Sequence, residues 1–304
     1  MPMVGFGTYK LKESDKGVVS SALRAGYRLV DTAHVYAGGK MEGVVGKAIK
    51  NREVFVTTKH WRGFHGYDAT RQCLAQSLGR LGVDAVDLYL MHWPGPGYSA
   101  MARSKNRSIE SYFKKGHEDM ASLRLETWRA MEDAYLSGKC RAIGVSNFTC
   151  DHLRKLLAWP DLRVRPTVNQ IELHPYLQQR DLVFLCEKEN VKLQAYASLG
   201  GQDSSAKDWA ALGMPPLLDH PAVLAAAEAH GATPAAVLLR WALQHGYAII
   251  PKSRSPDRIA HNAAALDRFD LSDAEMAALD ALDLGGMNGR LTWRRDELRA
   301  LDFE

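Results

Sequence analysis

Cysteine is scarce in this chain, and its copies form no recognisable pattern. The 304-residue sequence contains four, at Cys73, Cys140, Cys150 and Cys186. There is no Cys-x-x-Cys pair and no spacing typical of metal ligands. This arrangement argues against a disulfide scaffold or a zinc site. It favours a reduced protein from inside the cell with buried thiols.

Long hydrophobic runs and a strong charge of one sign are missing as well. No apolar stretch approaches the roughly 18 residues of a membrane span. The first residues have neither the basic nor the apolar segment of a secretory signal. The net charge is +4, from 39 basic and 35 acidic residues spread along the chain, so it does not indicate nucleic-acid binding. We expect a cytoplasmic protein without a membrane or nucleic-acid partner.

What is present is an alternation of short strand-like and longer helix-like segments. A length of 304 residues fits either two domains of about 150 residues or one α/β barrel of about 250. Eight segments have strand character, at residues 3–7, 29–31, 54–58, 85–91, 142–145, 167–172, 192–196 and 248–251. Helical spacing of apolar residues occurs between them, as in residues 71–81, 125–136, 181–189 and 234–244. Eight such units predict a (β/α)8 TIM barrel, a single domain over residues 1–304.

Three segments fit no element of such a barrel. Residues 95–121 carry several basic side chains, residues 200–217 are rich in Gly, Ser and Pro, and residues 284–304 form a C-terminal tail. The first two follow the C-terminal ends of strands four and seven, where barrel active sites are built. They are candidates for functional loops, with solvated loops as the alternative. Before the tail, Ser272 and Glu275 have the spacing of a capping box, which predicts a further helix.

Four polar residues lie at or just after the ends of consecutive predicted strands. Asp31 ends the second strand and Tyr36 follows it, while Lys59 follows the third strand and His92 the fourth. Each alone has an ordinary explanation: Asp31 as a helix cap, Lys59 in solvent, and His92 or Tyr36 packed in the core. Because the C-terminal ends of barrel strands surround one opening, the four together predict a common site.

The chemistry of these side chains favours proton donation to a carbonyl group. A tyrosine hydroxyl has a pKa near 10, so it donates a proton near neutral pH only if its anion is stabilised. A buried ammonium stabilises that anion, a carboxylate behind the ammonium keeps it charged, and a neutral histidine can hydrogen-bond the carbonyl oxygen. The set contains no nucleophile–base pair and no cluster with metal-ligand spacing.

Five motifs, in order along the chain, resemble those of the aldo-keto reductase family. They are GYRLVDTA at residues 26–33 followed by Tyr36, LMHWP at 90–94, IGVSNF at 143–148, VNQIELHPY at 168–176 and IPKS at 250–253. The resemblance runs from about residue 2 to the low 280s, which is nearly the whole chain. It implies NADPH-dependent reduction of an aldehyde or ketone to an alcohol.

The resemblance also assigns roles at the strand ends. Tyr36 matches the family's general acid, Lys59 and Asp31 match the pair that tunes it, and His92 matches the residue that orients the carbonyl. Hydride would come from the nicotinamide, so the protein supplies position and electrostatics.

Four residues match the nicotinamide end of the family's cofactor site. Ser146, Asn147 and Gln170 match residues that hold the carboxamide, and Tyr196 matches the ring on which the nicotinamide stacks. An N-cap role for Ser146 and Asn147 in the following helix is the alternative, and both roles are compatible.

The other end of the cofactor site is implied by a basic group of residues. Lys252, Ser253 and Arg258 match the pocket for the adenosine 2′-phosphate, which suits two cations and a hydroxyl. No Gly-x-Gly-x-x-Gly follows a strand, so a Rossmann site is not indicated, and NADP is favoured over NAD. Asn262 matches an adenine contact, whereas His261 stands where a Glu usually makes another.

The remaining predicted cofactor contacts come from loops. Lys10 and Asp203 match a pair that closes over the pyrophosphate in some members. Thr8 and Leu199 complete the predicted cofactor site. An ion pair between exposed loops is worth only about 0.5 kcal/mol. We therefore expect Lys10 and Asp203 to hold the loops closed weakly and not to be the main anchor of the cofactor.

The chain departs from the family pattern in two further places. Glu42 comes late in the first motif, as if three residues were inserted beside Tyr36. The N-terminal hairpin that closes the bottom of the barrel is expected to be missing, because Met1 lies almost on the first strand. A choice of start site is the alternative explanation for the short N-terminus.

Substrate identity is the least constrained property. Tyr9, Trp61 and Trp93 match positions that line an aromatic pocket, with Trp293 in the C-terminal tail as a further candidate. Aromatic walls admit many carbonyl compounds. The basic side chains of residues 95–121 suggest the hypothesis that an anionic substrate or a partner is steered there.

Two other functions stay open on the same scaffold. One is a cofactor-binding regulatory or structural protein with little turnover, which the loss of a tetrad member would favour, but all four residues are present. The other is a lyase or isomerase without nicotinamide, which Lys252 and Arg258 oppose. The resemblance favours a monomer.

Overall fold

Eight parallel strands form one sheet whose spatial order is the sequence order. The computed structural model describes residues 1–95, 120–201, 209–210, 213–264, 269–285 and 289–290. The strands are β1 (Phe6–Gly7), β2 (Leu29–Asp31), β3 (Phe55–His60), β4 (Leu88–Met91), β5 (Ile143–Ser146), β6 (Val168–Glu172), β7 (Lys192–Tyr196) and β8 (Ala248–Ile249). The predicted barrel of eight parallel strands is therefore confirmed.

The sheet closes on itself between its first and last strands. Val4 forms a parallel bridge with Ile249. The backbone amide of Gly5 donates to the Ile249 carbonyl at 2.8 Å, and that of Gly7 donates to the Pro251 carbonyl at 3.1 Å. These bonds complete the ring of strands, so no sheet edge is left open at this seam.

Ten α-helices lie in the described ranges. They are α1 (Lys16–Arg24), α2 (Lys40–Ile49), α3 (Tyr67–Leu81), α4 (Met120–Leu136), α5 (Cys150–Leu157), α6 (Arg180–Lys188), α7 (Pro221–Ala229), α8 (Pro234–Gln244), α9 (Pro256–Ala264) and α10 (Asp273–Asp280). A helix between successive strands is the crossover that parallel pairing requires. Both faces of the sheet are buried as a result, which explains the continuous apolar runs in its strands.

Local sequence explains where several helices begin. Thr233 accepts a hydrogen bond from the Ala236 amide at 3.1 Å, and Pro234 occupies the first helical position of α8, where its missing N–H costs nothing. Ser272 and Glu275 form the predicted capping box at the start of α10, with their reciprocal bonds at 2.8 and 3.3 Å.

Several predicted boundaries are wrong by a few residues. The first strand is shorter than residues 3–7, the third extends beyond 54–58 to His60, and the fourth, predicted over 85–91, begins at Leu88. The last strand is shorter than 248–251, where Pro251 has no N–H with which to continue a ladder. The loop predicted over 95–121 ends sooner, since α4 includes Met120, whose side chain is buried, as is that of Leu123. Residues 96–119 lie outside the described residues, as do 202–208 and 211–212 of the predicted loop 200–217 and most of the predicted tail.

The core is divided between two large clusters of buried side chains. One gathers residues from β1 to β5 and their helices, and the other gathers residues from β6 to β8, α7, α8 and α10. In the second cluster Trp209, within the predicted loop 200–217, is fully buried against Tyr176 at a ring distance of 4.8 Å. Within the described ranges no single helix has the length and apolarity to cross a membrane. Helices α7 and α8 meet those criteria only as a pair, and they are bent by 92°.

Candidate active site

The ends of β2 and β3 carry a buried ion pair. Asp31 is the last residue of β2, and Lys59 lies one residue before the end of β3. The Lys59 Nζ atom lies 2.6 Å from Asp31 Oδ1 and also donates to the Thr32 carbonyl at 2.9 Å. Both charged side chains are almost completely buried, so the alternative that Lys59 sits in solvent is wrong.

Tyr36 lies against this pair, in the short 3-10 turn Tyr36–Gly39 that follows β2. Its hydroxyl oxygen is 3.4 Å from Lys59 Nζ, which donates to it. Burial, followed by the negative charge of Asp31, raises the pKa of Tyr36 well above 10. The stabilisation of the anion by Lys59 that the sequence predicts is thus outweighed, and the hydroxyl keeps its proton at neutral pH. A donor that keeps its proton until a stronger base forms beside it suits acid catalysis.

The charge on Lys59 reflects two opposing effects. Burial lowers its pKa from 10.5, because a low-dielectric site disfavours the ammonium form. The Asp31 carboxylate acts in the opposite direction through its charge and its hydrogen bond. The carboxylate is what keeps a fully buried lysine protonated here.

His92 follows β4, and its ring faces that of Tyr36. Its ring centroid lies 5.8 Å from that of Tyr36 and 6.1 Å from that of Trp61. Burial lowers its pKa well below 6.5, and the nearby positive charges of Lys59 and Arg62 lower it further. The imidazole is therefore neutral at physiological pH. Its buried Nδ1 has no hydrogen-bond partner within the described part of the chain.

Gln170 connects β6 to the ion pair. Its Nε2 donates to Asp31 Oδ2 at 2.8 Å and to Gln194 Oε1 at 2.6 Å. Asp31 is thus held on one side by Lys59 and on the other by an amide. Gln194, on β7, was not a sequence-predicted site residue. Its position one strand over from Gln170 in the register of the sheet is the signal that identifies it.

Asn147, directly after β5, is hydrogen-bonded to residues at or just after the ends of β4 and β7. Its Oδ1 accepts from the Tyr196 hydroxyl at 2.6 Å, and its Nδ2 donates to the His92 carbonyl at 2.9 Å and to Ser146 Oγ at 3.2 Å. Its φ of 61° is one that asparagine tolerates better than most residues. The N-cap alternative for Ser146 and Asn147 is wrong, because Thr149 caps α5.

A cleft of about 1700 Å³ opens above these residues. It is lined by most of the predicted site: Tyr9, Lys10, Asp31, Tyr36, Trp61, His92, Trp93, Ser146, Asn147, Gln170, Tyr196, Leu199, Lys252, Ser253, Arg258 and Asn262. Lys59 and Thr8 lie beneath this lining. The Thr8 Oγ1 donates to the Asp31 carbonyl at 2.8 Å, so its contact is with the catalytic end of the site. Asp203 and Trp293 lie outside the described residues.

The far end of the cleft carries the residues that are predicted to bind the 2′-phosphate and the adenine. Ser253 and Asn262 are nearly buried, Lys252 is partly exposed, and Arg258 is exposed at the start of α9. The Ser253 hydroxyl accepts from the Ser255 amide at 3.1 Å. A guanidinium, an ammonium and a hydroxyl around one opening are the groups that bind a phosphate dianion.

Arg254 makes contacts at this end of the cleft that the sequence did not predict. Its Nε lies 3.0 Å from Asp15 Oδ2, and its Nη2 donates to the Lys10 carbonyl at 2.6 Å. The Lys12 amide and then Arg254 hold the pKa of Asp15 below its usual value. Arg254 thereby joins the segment after β8 to the loop after β1. Only the three-dimensional contact reveals this, since 239 residues separate Arg254 from Asp15.

The pocket wall beside Tyr36 is aromatic. Tyr9 is 47% exposed, and its ring centroid lies 5.3 Å from that of Tyr36. Trp93 is buried, and Trp61 is partly exposed beside His92. These three aromatic side chains form an apolar wall of the cleft beside Tyr36 and His92.

The late Glu42 is explained by the turn before α2. Ala37, Gly38 and Gly39 all have positive φ, at 51°, 65° and 91°. The φ of Gly39 is one that favours glycine, and a Cβ there would also force the Arg80 guanidinium, 2.7 Å away, to move. This turn absorbs the extra residues, and Glu42 is still buried, where it accepts from Thr58 Oγ1 at 2.7 Å and pairs with Arg80 at 3.3 Å.

The residues lining the cleft fit a nicotinamide dinucleotide. The volume is larger than the 300–1,000 Å³ usual for small-molecule sites, which suits an extended ligand together with a substrate. Amide and hydroxyl groups at the Tyr36 end of the cleft have the donors and acceptors that a carboxamide requires, and Lys252 and Arg258 at the other end carry the charge that suits a phosphate. No group of three or more His, Cys, Asp or Glu side chains in the described ranges could hold a metal ion.

Fold and site together define an oxidoreductase built on a (β/α)8 barrel. The aldo/keto reductase family profile matches residues 3–284. The chain is 38% identical to morphine 6-dehydrogenase of Pseudomonas putida, over 94% of this chain and 88% of that one. It is 37% identical to glyoxal reductase of Bacillus subtilis, over 93% and 89%.

A solved structure agrees with these relatives. An aldo-keto reductase from a Medee basin deep-sea metagenome library superposes with a TM-score of 0.78 at 34% identity, covering 96% of this chain and 94% of that one. The chain belongs to the aldo/keto reductase family. It is an oxidoreductase that acts on carbonyl and alcohol groups and uses NADPH.

Proposed function

We propose that this protein reduces an aldehyde or ketone to the alcohol with NADPH, and that Tyr36 supplies the proton. The observation that carries the proposal is the buried chain from Asp31 through Lys59 to the Tyr36 hydroxyl, with contacts of 2.6 and 3.4 Å. The chain ends in the cleft beside a neutral His92. When bound, the cofactor supplies the hydride.

The residues of this chain then perform three tasks. His92 hydrogen-bonds the carbonyl oxygen and aims it at Tyr36, whose hydroxyl gives its proton to the alkoxide that develops there. The Lys59 ammonium stabilises the phenolate left behind, and Asp31 keeps that ammonium charged. Ser146, Asn147 and Gln170 would hold the nicotinamide carboxamide, and the Tyr196 ring would stack on the nicotinamide.

The phosphate end of the cleft supports a preference for NADPH over NADH. Lys252, Ser253 and Arg258 would bind the 2′-phosphate, and Asn262 the adenine. One curated relative, from Saccharomyces cerevisiae, is named glycerol 2-dehydrogenase (NADP(+)), with 37% identity. His261, where a Glu is usual, points to a weaker adenine contact in this chain.

The substitution Tyr36→Phe tests the proposal. It removes the proton donor and keeps the ring, so kcat should fall by about 10²- to 10⁴-fold while NADPH still binds, as followed by quenching of tryptophan fluorescence. Tyr89→Phe is the matched control, because Tyr89 is a fully buried tyrosine on β4 outside the cleft lining. A wild-type rate for Tyr36→Phe would refute the assignment of the acid. Undetectable turnover in the wild type with intact NADPH binding would instead favour a binding protein.

The substrate panel follows from the aromatic wall and from the relatives. Glyoxal and D-xylose represent the carbonyl substrates in the names of two relatives, and an aromatic aldehyde tests the wall of Tyr9, Trp61 and Trp93. Initial rates with NADPH and with NADH on this panel give the substrate class. Anionic and neutral aldehydes in the same panel test the steering role proposed for residues 95–121, and Trp293 is proposed as a further pocket residue.

Finer properties are part of the same proposal. We place the enzyme in the cytoplasm as a monomer of one domain over residues 1–304, without nucleic-acid or membrane partners. The four cysteines are all free thiols, which suits a reducing compartment. The single eight-stranded sheet includes strands from both halves of the chain. Elution volume with light scattering measures the oligomeric state.

A further inference from the structure

Arg62 is a buried cation next to two aromatic side chains of the pocket wall. It begins the turn Arg62–Phe64, directly after β3 and Trp61. The residue is 2% exposed, and its guanidinium carbon lies 4.8 Å from the Trp93 ring centroid and 5.3 Å from that of Trp61. Guanidinium groups within about 6 Å of a ring are attracted to it. One side chain therefore ties together two indoles from different strand–helix loops.

These two indoles flank His92. The His92 ring centroid lies 6.1 Å from that of Trp61 and 6.3 Å from that of Trp93. Both indoles and the imidazole line the cleft, whereas Arg62 does not. Movement of Arg62 would therefore shift the substrate wall and the imidazole together.

The charge of Arg62 also reaches His92. Burial lowers the pKa of the guanidinium to about 10, so it is protonated at neutral pH. The titratable groups that face His92 in the described structure are Lys59 and His60 of β3, Arg62 of the following turn, and Tyr36 of the turn after β2. Two of these are cations, and like charges disfavour protonation of the imidazole.

We propose that Arg62 is a positioning residue of the carbonyl-reducing site, which holds the Trp61 and Trp93 indoles in the substrate wall on either side of His92. Its positive charge adds to the effects of burial and of Lys59, which already favour the neutral imidazole. The inference rests on the proposed function. It adds that specificity for bulky carbonyl substrates and the acid limit of activity both depend on a residue that does not touch the substrate.

Two substitutions separate the clamp from the charge. Arg62→Met removes the charge and the planar group but keeps an unbranched side chain, whereas Arg62→Lys keeps the charge and loses the stacking geometry. The measurements are the NMR titration of the His92 imidazole, the pH profile of kcat/KM, tryptophan emission, and KM for an aromatic aldehyde and for glyoxal.

For Arg62→Met we expect the pKa of His92 to rise, so the acid limb of kcat/KM moves to higher pH. KM for the aromatic aldehyde should rise about tenfold and that for glyoxal less than about twofold. In Arg62→Lys the titration of His92 should stay near that of the wild type, while KM for the aromatic aldehyde still rises. Tryptophan emission should shift in both variants as the indoles loosen.

Arg129→Met is the matched control, because the Arg129 guanidinium lies 4.9 Å from the Trp159 ring, outside the cleft lining. It should leave the titration of His92 and both KM values unchanged. Unchanged values in Arg62→Met would overturn the proposal. If that variant does not fold, an unchanged KM for the aromatic aldehyde in Arg62→Lys overturns the clamp, and a raised pKa of His92 in Arg62→Lys overturns the charge effect.

These outcomes are distinct from failure of the proposed function. Full turnover in Tyr36→Phe would remove the assigned acid, yet the titration of His92 and the tryptophan emission of the Arg62 variants need no turnover. They would still report whether Arg62 holds the wall and the imidazole.

Discussion

At the catalytic end of the cleft the charged groups are buried and paired, whereas at the phosphate end they face solvent. Lys59 and Asp31 are both nearly inaccessible and 2.6 Å apart. Arg258 is exposed, and Lys252 is partly so. The buried Lys59–Asp31 ion pair is formed by the protein alone. Lys252 and Arg258, in contrast, are accessible to solvent. One cleft therefore contains two different electrostatic environments.

The physical reason is the dielectric around each group. Charges interact far more strongly in a water-excluded site than in solvent, but they pay a desolvation cost there and need a partner. Asp31 is that partner for Lys59, and Gln170 and Lys59 together hold Asp31. Exposed cations lose little hydration free energy, but salt screens their charge.

The largest effect is expected from removing the buried cation. Lys59→Met leaves Asp31 buried without its charge partner, so the free energy of unfolding should fall by about 3–5 kcal/mol. Turnover should fall by about 10²- to 10⁴-fold because the phenolate of Tyr36 loses its stabilising charge. Urea denaturation and steady-state kinetics measure the two effects.

Lys192→Met is the control for that experiment. Lys192 also lies on a strand, but its side chain is exposed, so the same change should leave stability and kcat nearly unaltered. Equal losses in the two variants would show that burial of the Lys59 pair is not what distinguishes the catalytic end.

A smaller and more selective effect is expected at the phosphate end. Replacing Lys252 and Arg258 together with Ala should weaken NADPH binding by about 10- to 100-fold, since each loses a charge-assisted hydrogen bond to the 2′-phosphate. NADH binding and kcat should change little. Fluorescence titration with both cofactors measures this, and equal weakening of NADPH and NADH would contradict the phosphate assignment.

Salt should weaken electrostatic interactions at the exposed Lys252 and Arg258 but not at the buried Lys59–Asp31 pair. Raising the ionic strength from about 0.05 to 0.5 M shortens the screening length severalfold, so NADPH affinity should fall several-fold while kcat at saturating cofactor stays constant. In the Lys252 and Arg258 double variant the salt dependence should be nearly lost. A kcat that falls in parallel with affinity would argue against a screened catalytic pair.

The smallest effect concerns acid stability. Burial lowers the pKa of His34, His60, His65 and His92 below 6.5, for His60 to about 4. Below pH 6.5 the unfolded chain therefore binds more protons than the folded chain, and stability falls as pH decreases towards the folded-state pKa values.

Urea denaturation between pH 7 and pH 5 tests this dependence. His60→Leu should flatten the loss of stability by up to about 1.4 kcal/mol per pH unit. The same slope in His60→Leu as in the wild type would mean that His60 does not titrate on unfolding.

Much of the barrel and of the catalytic end could be predicted because strand ends are local signals. Asp31, Lys59 and His92 each lie at or just after the end of a recognisable strand, and parallel strands bring their ends to one opening. The structure confirms the eight strands and shows Tyr36 in contact with Lys59. The direction of the Tyr36 pKa could not be read in this way, since it depends on burial by Tyr9 and the surrounding core.

Contacts between distant segments were the part that the sequence could not provide. Arg62 follows a strand in an unremarkable turn, and nothing local shows that it lies against Trp93. Gln194 and Arg254 likewise act through partners on other strands or loops. The N-cap of α5 was misassigned because Ser146, Asn147 and Thr149 are all good capping residues, and only the backbone path selects Thr149.

The amino-acid sequence alone determined the barrel, the reductase family and the residue types at the site, since its few free cysteines, its alternating segments and its ordered motifs are properties of the chain itself. Tertiary structure decided which charges are buried and which face water, because burial depends on what the rest of the fold places around a side chain. It thereby decided that Lys59 and Asp31 form a closed pair and that Arg62 lies behind the pocket wall. It also left Lys252 partly exposed and Arg258 exposed to solvent.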